Sequence, residues 1–469
     1  MKIHALNDSI DYIKSWLQFR YEREEIPGFI VAVSHKGKLI MNEAYGYANI
    51  EQKKKLKPTN VFRIASQSKT FTATALMQLQ EKESLKIDDL AIDYLPWLKD
   101  HRDKRWQKVT IRQLMSHGAG IIRDGINADY WQLEKPFPNK QQLQDAILKS
   151  DLTIDSNVKL KYSNLGYSLL GMIIEAASGQ TYADYISSNI IESLGLENTG
   201  PEYTPEIEDR LATGYTRLES SQTRLPIDNI FTDAMAPATG IYSTAEDLCR
   251  YFSAQFIGSG KLLSDESKKE MQKVQWHAYR PSNINNEDYG LGFSIEYLNQ
   301  RKLISHGGAF PGHATYSIAD PKDKLVVTVL INCIYQQAGL IARSLFDIID
   351  YFQNNSSETP TKLATKRLAG RYINLFGMTD IIATGDNLVA TYPDSWQPLS
   401  YPKSLERLEY IDQTTLKIVT ADSFYAEGEL VHFNFENDEV QTIVYTGYTM
   451  WPSEVWFEKQ RSRQQVQLQ

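Results

Sequence analysis

Residues 65–71 read ASQSKTF, which places Ser66 and Lys69 three residues apart at the head of a stretch, 66–84, that carries Phe71, Ala75, Met77 and Leu79 and has no internal glycine or proline. That pattern predicts a helix opening at Ser66. On a helix, positions i and i+3 share a face, so Lys69 reaches the Ser66 hydroxyl while the free N–H groups of the first turn favour developing negative charge. The same S-x-x-K spacing recurs at Ser156/Lys159 and Ser400/Lys403. Ser156 lies in DSNVKLKYSN, whose alternation predicts an extended segment with the two side chains on opposite faces. Ser400 is followed by Tyr401 and Pro402 in a β-rich region, which argues against a helical turn. The competing reading of Ser66 is a helix cap, with Lys69 turned to solvent.

Upstream, GFIVAVSHKGKLIMNEAYGYAN at 28–49 gives two β-rich runs around His35-Lys36-Gly37-Lys38, a hairpin signal. Downstream, TIRQLMSHGAG opens with a capping box, Thr110 to Gln113, and is expected to stop at Gly118; STAEDLCRYFSAQF repeats the device from Ser243 to Glu246. Irregular stretches near 120–140 and 198–235 are long enough to shape a pocket. RKLISHGG, HATYSIAD and KLVVTVLINC read as three strands between 301 and 333, followed by a helix in QQAGLIARSLFDIIDYF. Two strands near the start and three near the end pair most economically in one antiparallel sheet flanked by helices, with a helical insertion between them, an α/β (α+β) arrangement. After the polar NNSSETPT at 354–361, five short β runs at regular spacing predict a small β-barrel or sandwich, with a tail or terminal helix at the end. The expected division is a domain over 1–354, a linker at 355–362 and a barrel over 363–469.

The 469 residues include 42% hydrophobic and 23% charged positions, the composition of an ordinary globular chain. A formal charge of -8 and a pI near 5.6 give no basic field for a phosphate backbone, so nucleic acid is not an expected partner. The EQKKKLK run at 51–57 reads as a solvated hairpin or loop. Two cysteines, Cys249 and Cys333, form no spaced framework, and the eight histidines show no ligand spacing, so neither disulfide, metal nor other cofactor is expected. The first residues read as a helix of the mature fold rather than an export signal, and no apolar run is long enough to span a bilayer, which makes the cytoplasm the expected compartment and a membrane an unexpected partner.

A serine helped by a lysine needs further partners, because a lysine near its ordinary pKa of ~10.4 is a poor base. KYSNLGYSLLG offers Tyr162 and Asn164 just ahead of an apolar helix. Y-x-N also occurs at Tyr47, Tyr297 and Tyr372, but without that setting. ISHGGAFPGH ends a strand in His306-Gly307-Gly308, where no glycine side chain would keep a substrate away. Taken alone it also reads as a turn beside a core histidine, and the similar SHGAG at 116–120 reads as the end of a helix.

In the order S-x-x-K, Y-x-N, H-G-G, with VFRIASQSKTFTA, TIRQLMSHGAGI, LKYSNLGYSLLG, ATGIYSTAEDL and SHGGAFPGH around them, the chain resembles the serine β-lactamase and penicillin-binding-protein-like family from about 25 to about 335. The likeness is nearest to its class C β-lactamase-like esterases and D-aminopeptidases. LAGRYIN and DNLVA in the tail resemble the lipocalin-like barrel appended to some members. The resemblance implies Ser66 as acylated nucleophile, Lys69 as the group taking its proton, and Tyr162 as the relay to leaving group and water. It further implies Asn164 holding Lys69 and the substrate, His306, Gly307 and Gly308 as the substrate-binding strand, and an oxyanion hole from the N–H groups of Ser66 and Ala309. Many relatives carry K-T-G where this chain has His306-Gly307-Gly308. Losing that fixed cation argues against efficient penicillin hydrolysis.

No G-x-S-x-G elbow, H-E-x-x-H helix or complete Walker loop competes. The expectation is a serine hydrolase of small esters, amides or short peptides, the alternative a catalytically silent relative that binds a ligand or partner. The barrel is expected to cap the cleft or to mediate homo-oligomerisation, with a lipid-binding cup as the rival view.

Overall fold

The computed structural model describes residues 1–218, 223–277, 288–334, 337–399, 405–420 and 426–467, and the side chains of 463–467 are left aside. It contains two compact units, 24–342 and a second made of 1–23 with 343–469. The N-terminal helix α1, Ile3–Arg23, thus counts with the barrel, where the sequence grouped it with the domain at 1–354.

Within 24–342 the centre is an eight-stranded antiparallel sheet. Its strands are β1 (Gly28–His35), β2 (Lys38–Asn49), β3 (Lys54–Lys55), β4 (Asp288–Tyr289), β5 (Ser294–Leu298), β6 (Arg301–Phe310), β7 (His313–Asp320) and β8 (Leu325–Ile331). They lie in the order β3-β2-β1-β8-β7-β6-β5-β4, so strands from the two ends of the unit meet where β1 pairs with β8. GFIVAVSH and LVVTVLI are buried along their whole length, as continuous β-branched runs at a sheet centre should be. Lys36 and Gly37 both take positive φ, 52° and 76°, the geometry that joins β1 to β2 in a tight hairpin.

Helix α2, Ser68–Glu81, is buried from Ser68 through Leu79, so it is a core helix rather than an amphipathic surface one. The α-helix does not open at Ser66 as the sequence predicted. A short 3-10 turn, Ala65–Gln67, comes first, with Ala65 at φ 52°. Helix α3, Ile111–Met115, has the predicted capping box from Thr110 and Gln113. Helix α4, Asn164–Ser178, is capped by the Ser163 hydroxyl and buried from Asn164 to Ile174. Helix α5, Ala245–Ala254, is capped by Thr244, not Ser243, because Ser243 is already paired with Phe62 in a two-residue strand and its hydroxyl meets Thr199.

The Ser156 segment is a turn rather than a strand: Asn157 is left-handed at φ 62° and the Ser156 hydroxyl donates to the Ala119 carbonyl. Ser400 and Lys403 lie outside the described residues. Cys249 and Cys333 are both buried and free. Among the described residues no helix is long and apolar enough to cross a membrane.

In the second unit, 343–469 begins inside helix α6, Ala338–Asn355. Eight strands follow: β9 (Gly370–Ile373), β10 (Met378–Thr384), β11 (Asn387–Thr391), β12 (Leu405–Tyr410), β13 (Thr415–Thr420), β14 (Leu430–Glu436), β15 (Glu439–Tyr445) and β16 (Tyr448–Pro452). They form a closed up-and-down barrel, lipocalin-like in architecture, sealed where Tyr372 and Ile373 pair with Pro452 and Trp451. Leu388, Leu416, Ile418, Phe433 and Ile443 belong to its packed cluster. The terminal residues form helix α7, Ser453–Gln467. Helix α1 belongs here for physical reasons: Trp16 donates to the Pro393 carbonyl at 3.2 Å, and Arg20 lies over the Trp396 ring at 4.1 Å while bonding the Pro393, Asp394 and Ser395 carbonyls.

Candidate active site

From Val61 to Leu79 every residue is buried except Ser66, which is half-buried. The left-handed Ala65 and the 3-10 turn lift this one serine out of an otherwise enclosed segment. Lys69, in the first turn of α2, is fully buried, and its Nζ donates to Ser66 Oγ at 3.0 Å and to the Ala238 carbonyl at 2.8 Å. Burial pushes the Lys69 ammonium well below the usual lysine range; Asp124 draws it back up and Arg123 presses it further down. A lysine so placed gives up its proton more readily than a solvated one.

Tyr162 precedes the α4 cap, with Lys69 Nζ 4.9 Å from the centre of its ring. Burial pushes its phenol up to about 12, and a hydrogen bond with Ser66 works the other way, so the hydroxyl is protonated and faces the serine. Asn164 lies in the same turn, but the expected bond to Lys69 is not what holds it. Its Nδ2 donates to Asp124 Oδ1 at 2.6 Å, and its Oδ1 is buried with no hydrogen-bond partner among the described residues.

On the other side stands β6. Its pairing with β5 covers Arg301 to Ser305 and ends there, while its pairing with β7 runs on to Phe310, so His306–Phe310 has one ladder edge unpaired among the described residues. The strand therefore continues through His306-Gly307-Gly308 instead of ending there. Gly308 is needed because β6 passes against the serine turn: a Cβ would sit 2.2 Å from the Ile64 carbonyl oxygen and 3.1 Å from Ala65 Cβ. That close approach, more than room for a substrate, explains the glycine, and it brings Ala309 beside the turn that carries Ser66. His306 is buried; its Nδ1 donates to the Gly307 carbonyl at 2.6 Å and its Nε2 accepts from Tyr289 at 3.2 Å. Burial first, then the Lys69 charge, lowers its pKa to about 3, which keeps the imidazole neutral.

Several site residues escaped the sequence reading. His117, in the SHGAG segment read there as a helix end, packs tilted against Tyr162 with ring centres 4.1 Å apart, and against Tyr167 and Tyr289 with ring centres 5.0 and 4.9 Å away. Its Nδ1 accepts from the Ser163 N–H at 3.2 Å. Asp124 joins Asn164 to Trp131, whose Nε1 donates to it at 2.9 Å. Nothing in local spacing links these positions; the long irregular stretch near 120–140 was the one available signal. That stretch also lines a cavity of about 430 Å3 with Asp124, Tyr130, Lys135, Leu143 and Leu165, whose lining does not include Ser66, Lys69 or Tyr162.

The Beta-lactamase family model matches residues 13–345, well over half of the chain. This chain therefore belongs to the Beta-lactamase family, within the serine hydrolase superfamily that also holds penicillin-binding-protein-like members. It is 30% identical over 320 residues to Penicillin-binding protein 4* of Bacillus subtilis (strain 168), covering 63% of this chain and 66% of that protein. The match thus spans just under two thirds of that relative's length. The octameric penicillin-binding protein homologue from Pyrococcus abyssi superposes with a TM-score of 0.65 at 21% identity, over 94% of this chain and 99% of that one. D-amino acid amidase from Ochrobactrum anthropi SV3 gives 0.61 at 23% identity, over 73% and 99%. At those identities the likeness is one of fold.

Proposed function

We propose that this protein hydrolyses small esters, amides or short peptides through an acyl-enzyme on Ser66. The observation that carries the reading is the fully buried Lys69 amine, 3.0 Å from the one accessible hydroxyl in its segment. As a neutral amine Lys69 takes the Ser66 proton while Oγ bonds to the substrate carbonyl carbon. The N–H groups of Ser66 and Ala309 hold the resulting oxyanion; loss of one such donor costs roughly 10²–10³ in rate. When the tetrahedral species collapses, the leaving group departs with a proton from Tyr162, which regains one from Lys69. Water then adds to the acyl carbon, giving its proton to Tyr162 as Tyr162 passes one to Lys69. Expulsion of Ser66 Oγ, which takes that proton back, releases the acid.

Several observations support the finer parts of this reading. The neutral His306 stands where a fixed cation would favour a β-lactam carboxylate, so esters and amides are preferred over penicillins. The amidase neighbour supports an amide among the substrates. The octameric neighbour supports a homo-oligomer, and two buried free cysteines support a reducing compartment such as the cytoplasm. Hydrolysis measured across p-nitrophenyl esters, L- and D-aminoacyl anilides and nitrocefin, for the native chain and Ser66→Ala, tests the proposal. Turnover of at least one ester or anilide, lost in Ser66→Ala, is the expected result; turnover retained by that variant would refute it.

A further inference from the structure

Helix α3 ends at Met115 in a Schellman turn: the His117 N–H donates to the Leu114 carbonyl at 3.3 Å and the Gly118 N–H to the Gln113 carbonyl at 2.7 Å. The left-handed position of such a turn usually falls to glycine, yet here it is taken by His117, at φ 60°. The glycine comes one residue later, where a Cβ would lie 2.9 Å from the Trp276 ring. An imidazole held in the strained position calls for a reason in its own contacts.

His117 is only 2% exposed. Its Nδ1 accepts from the Ser163 N–H, so the proton of the neutral ring sits on Nε2, which is buried with no hydrogen-bond partner among the described residues. Burial first, then the charges of Lys69, His306 and Arg123, holds the ring well below the usual histidine range and keeps Nδ1 free to accept. The residue thus carries a left-handed backbone and an unpaired buried N–H, two costs that a glycine at this turn would avoid.

What these costs hold in place is Tyr162. The His117 carbonyl accepts from the Lys161 N–H at 2.8 Å and its Nδ1 from the Ser163 N–H at 3.2 Å, so one residue grips the chain on either side of Tyr162. Between those two bonds its ring packs against the Tyr162 ring, with centres 4.1 Å apart. Helix α4 is tied to the same turn by the Tyr167 hydroxyl, which donates to the Met115 carbonyl at 2.6 Å.

We propose that His117 is a positioning residue, which aims the Tyr162 hydroxyl at the departing group through this three-point grip. The proposal rests on the serine-hydrolase reading above, in which Tyr162 delivers that proton.

Phenyl acetate and p-nitrophenyl acetate test it, because they deliver the same acyl group and differ in how far the leaving oxygen needs a proton. His117→Phe keeps a ring and removes the Nδ1 acceptor, and it should lower kcat/KM roughly ten-fold more for phenyl acetate than for p-nitrophenyl acetate. His117→Asn returns an acceptor and suits left-handed backbone, and it should recover part of that difference. In a Tyr162→Phe background His117→Phe should leave the ratio of the two esters unchanged, since no proton donor is left to aim. A fold merely loosened slows both esters together in either background. A ratio that moves by less than about two-fold in His117→Phe, or that moves as far without Tyr162, overturns the role of His117. Hydrogen exchange gives a second reading: the Ser163 amide should exchange faster in His117→Phe, and an unchanged rate overturns the grip whether or not either acetate is cleaved. Fluorophosphonate labelling of Ser66 separates the two levels. A labelled native chain keeps the hydrolase reading standing when the role of His117 fails, whereas a native chain that takes no label and cleaves neither acetate overturns that reading, and this proposal with it.

Discussion

Lys69, Asp124 and His306 make the residue-scale predictions. Asp124 stabilises the charged form of Lys69, so Asp124→Asn lowers the lysine pKa further and moves the acid limb of the kcat/KM profile to lower pH; a limb that stays put or moves up would contradict this. Lys69→Met keeps the shape of the stem and removes the base, with an expected loss of roughly 10²–10⁴ in kcat/KM on any substrate the native chain cleaves. For His306 the sign follows from linkage. Its folded pKa, about 3, lies below the unfolded value, so below pH ~6.5 the unfolded chain binds a proton that the native one refuses, and stability falls as pH drops towards 3. At pH 5 one such histidine costs about 2 kcal/mol, and His306→Gln should flatten the denaturation midpoint against pH between ~6.5 and 5. Sequence pointed to Ser66 and Lys69 because they stand three residues apart, and to Tyr162 because it lies just ahead of an apolar helix in a motif that the family resemblance picks out. It could not show Asp124 or His117 at the site, since both arrive from a loop whose path is set by tertiary packing.

Two elements meet at the turn that carries Ser66, and Gly308 is where they touch. Gly308→Ala would drive a methyl against the Ile64 carbonyl, a backbone atom that cannot rotate away, so β6 must move from the Ser66 turn. The expected cost is about 1–3 kcal/mol of stability together with slower acylation of Ser66, read by denaturant unfolding and labelling rate. Thr110→Ala removes a capping-box acceptor far from Ser66 in sequence and should cost about 1 kcal/mol. The capping box at Thr110 and the β1–β2 hairpin were legible because each is encoded in a few contiguous residues. The 3-10 turn at Ala65 was not, because a left-handed alanine has no compositional signature and is imposed by its neighbours. The cap of α5 was misplaced by one residue for a similar reason, since a distant strand pairing had already claimed Ser243.

For the whole molecule, the division of the chain is the lesson that sequence order obscured. Periodicity identified α1 as a helix but not which core would receive its apolar face. Trp16 and Arg20 answer that through Pro393, Asp394, Ser395 and Trp396, residues hundreds of positions away. Trp16→Ala should destabilise the barrel unit by about 3–5 kcal/mol, visible as an earlier transition in calorimetry while Ser66 labelling at low temperature persists. Equal early loss of labelling would mean that the two units do not unfold separately.

The account turns on Ser66 being the acylated atom. Incubating the native chain with a fluorophosphonate and locating the adduct by tandem mass spectrometry tests this directly. The predicted result is a single modified peptide with the mass shift on Ser66, absent in Ser66→Ala and strongly slowed in Lys69→Met. An unlabelled native chain, or a label on another serine that persists in Ser66→Ala, would contradict it.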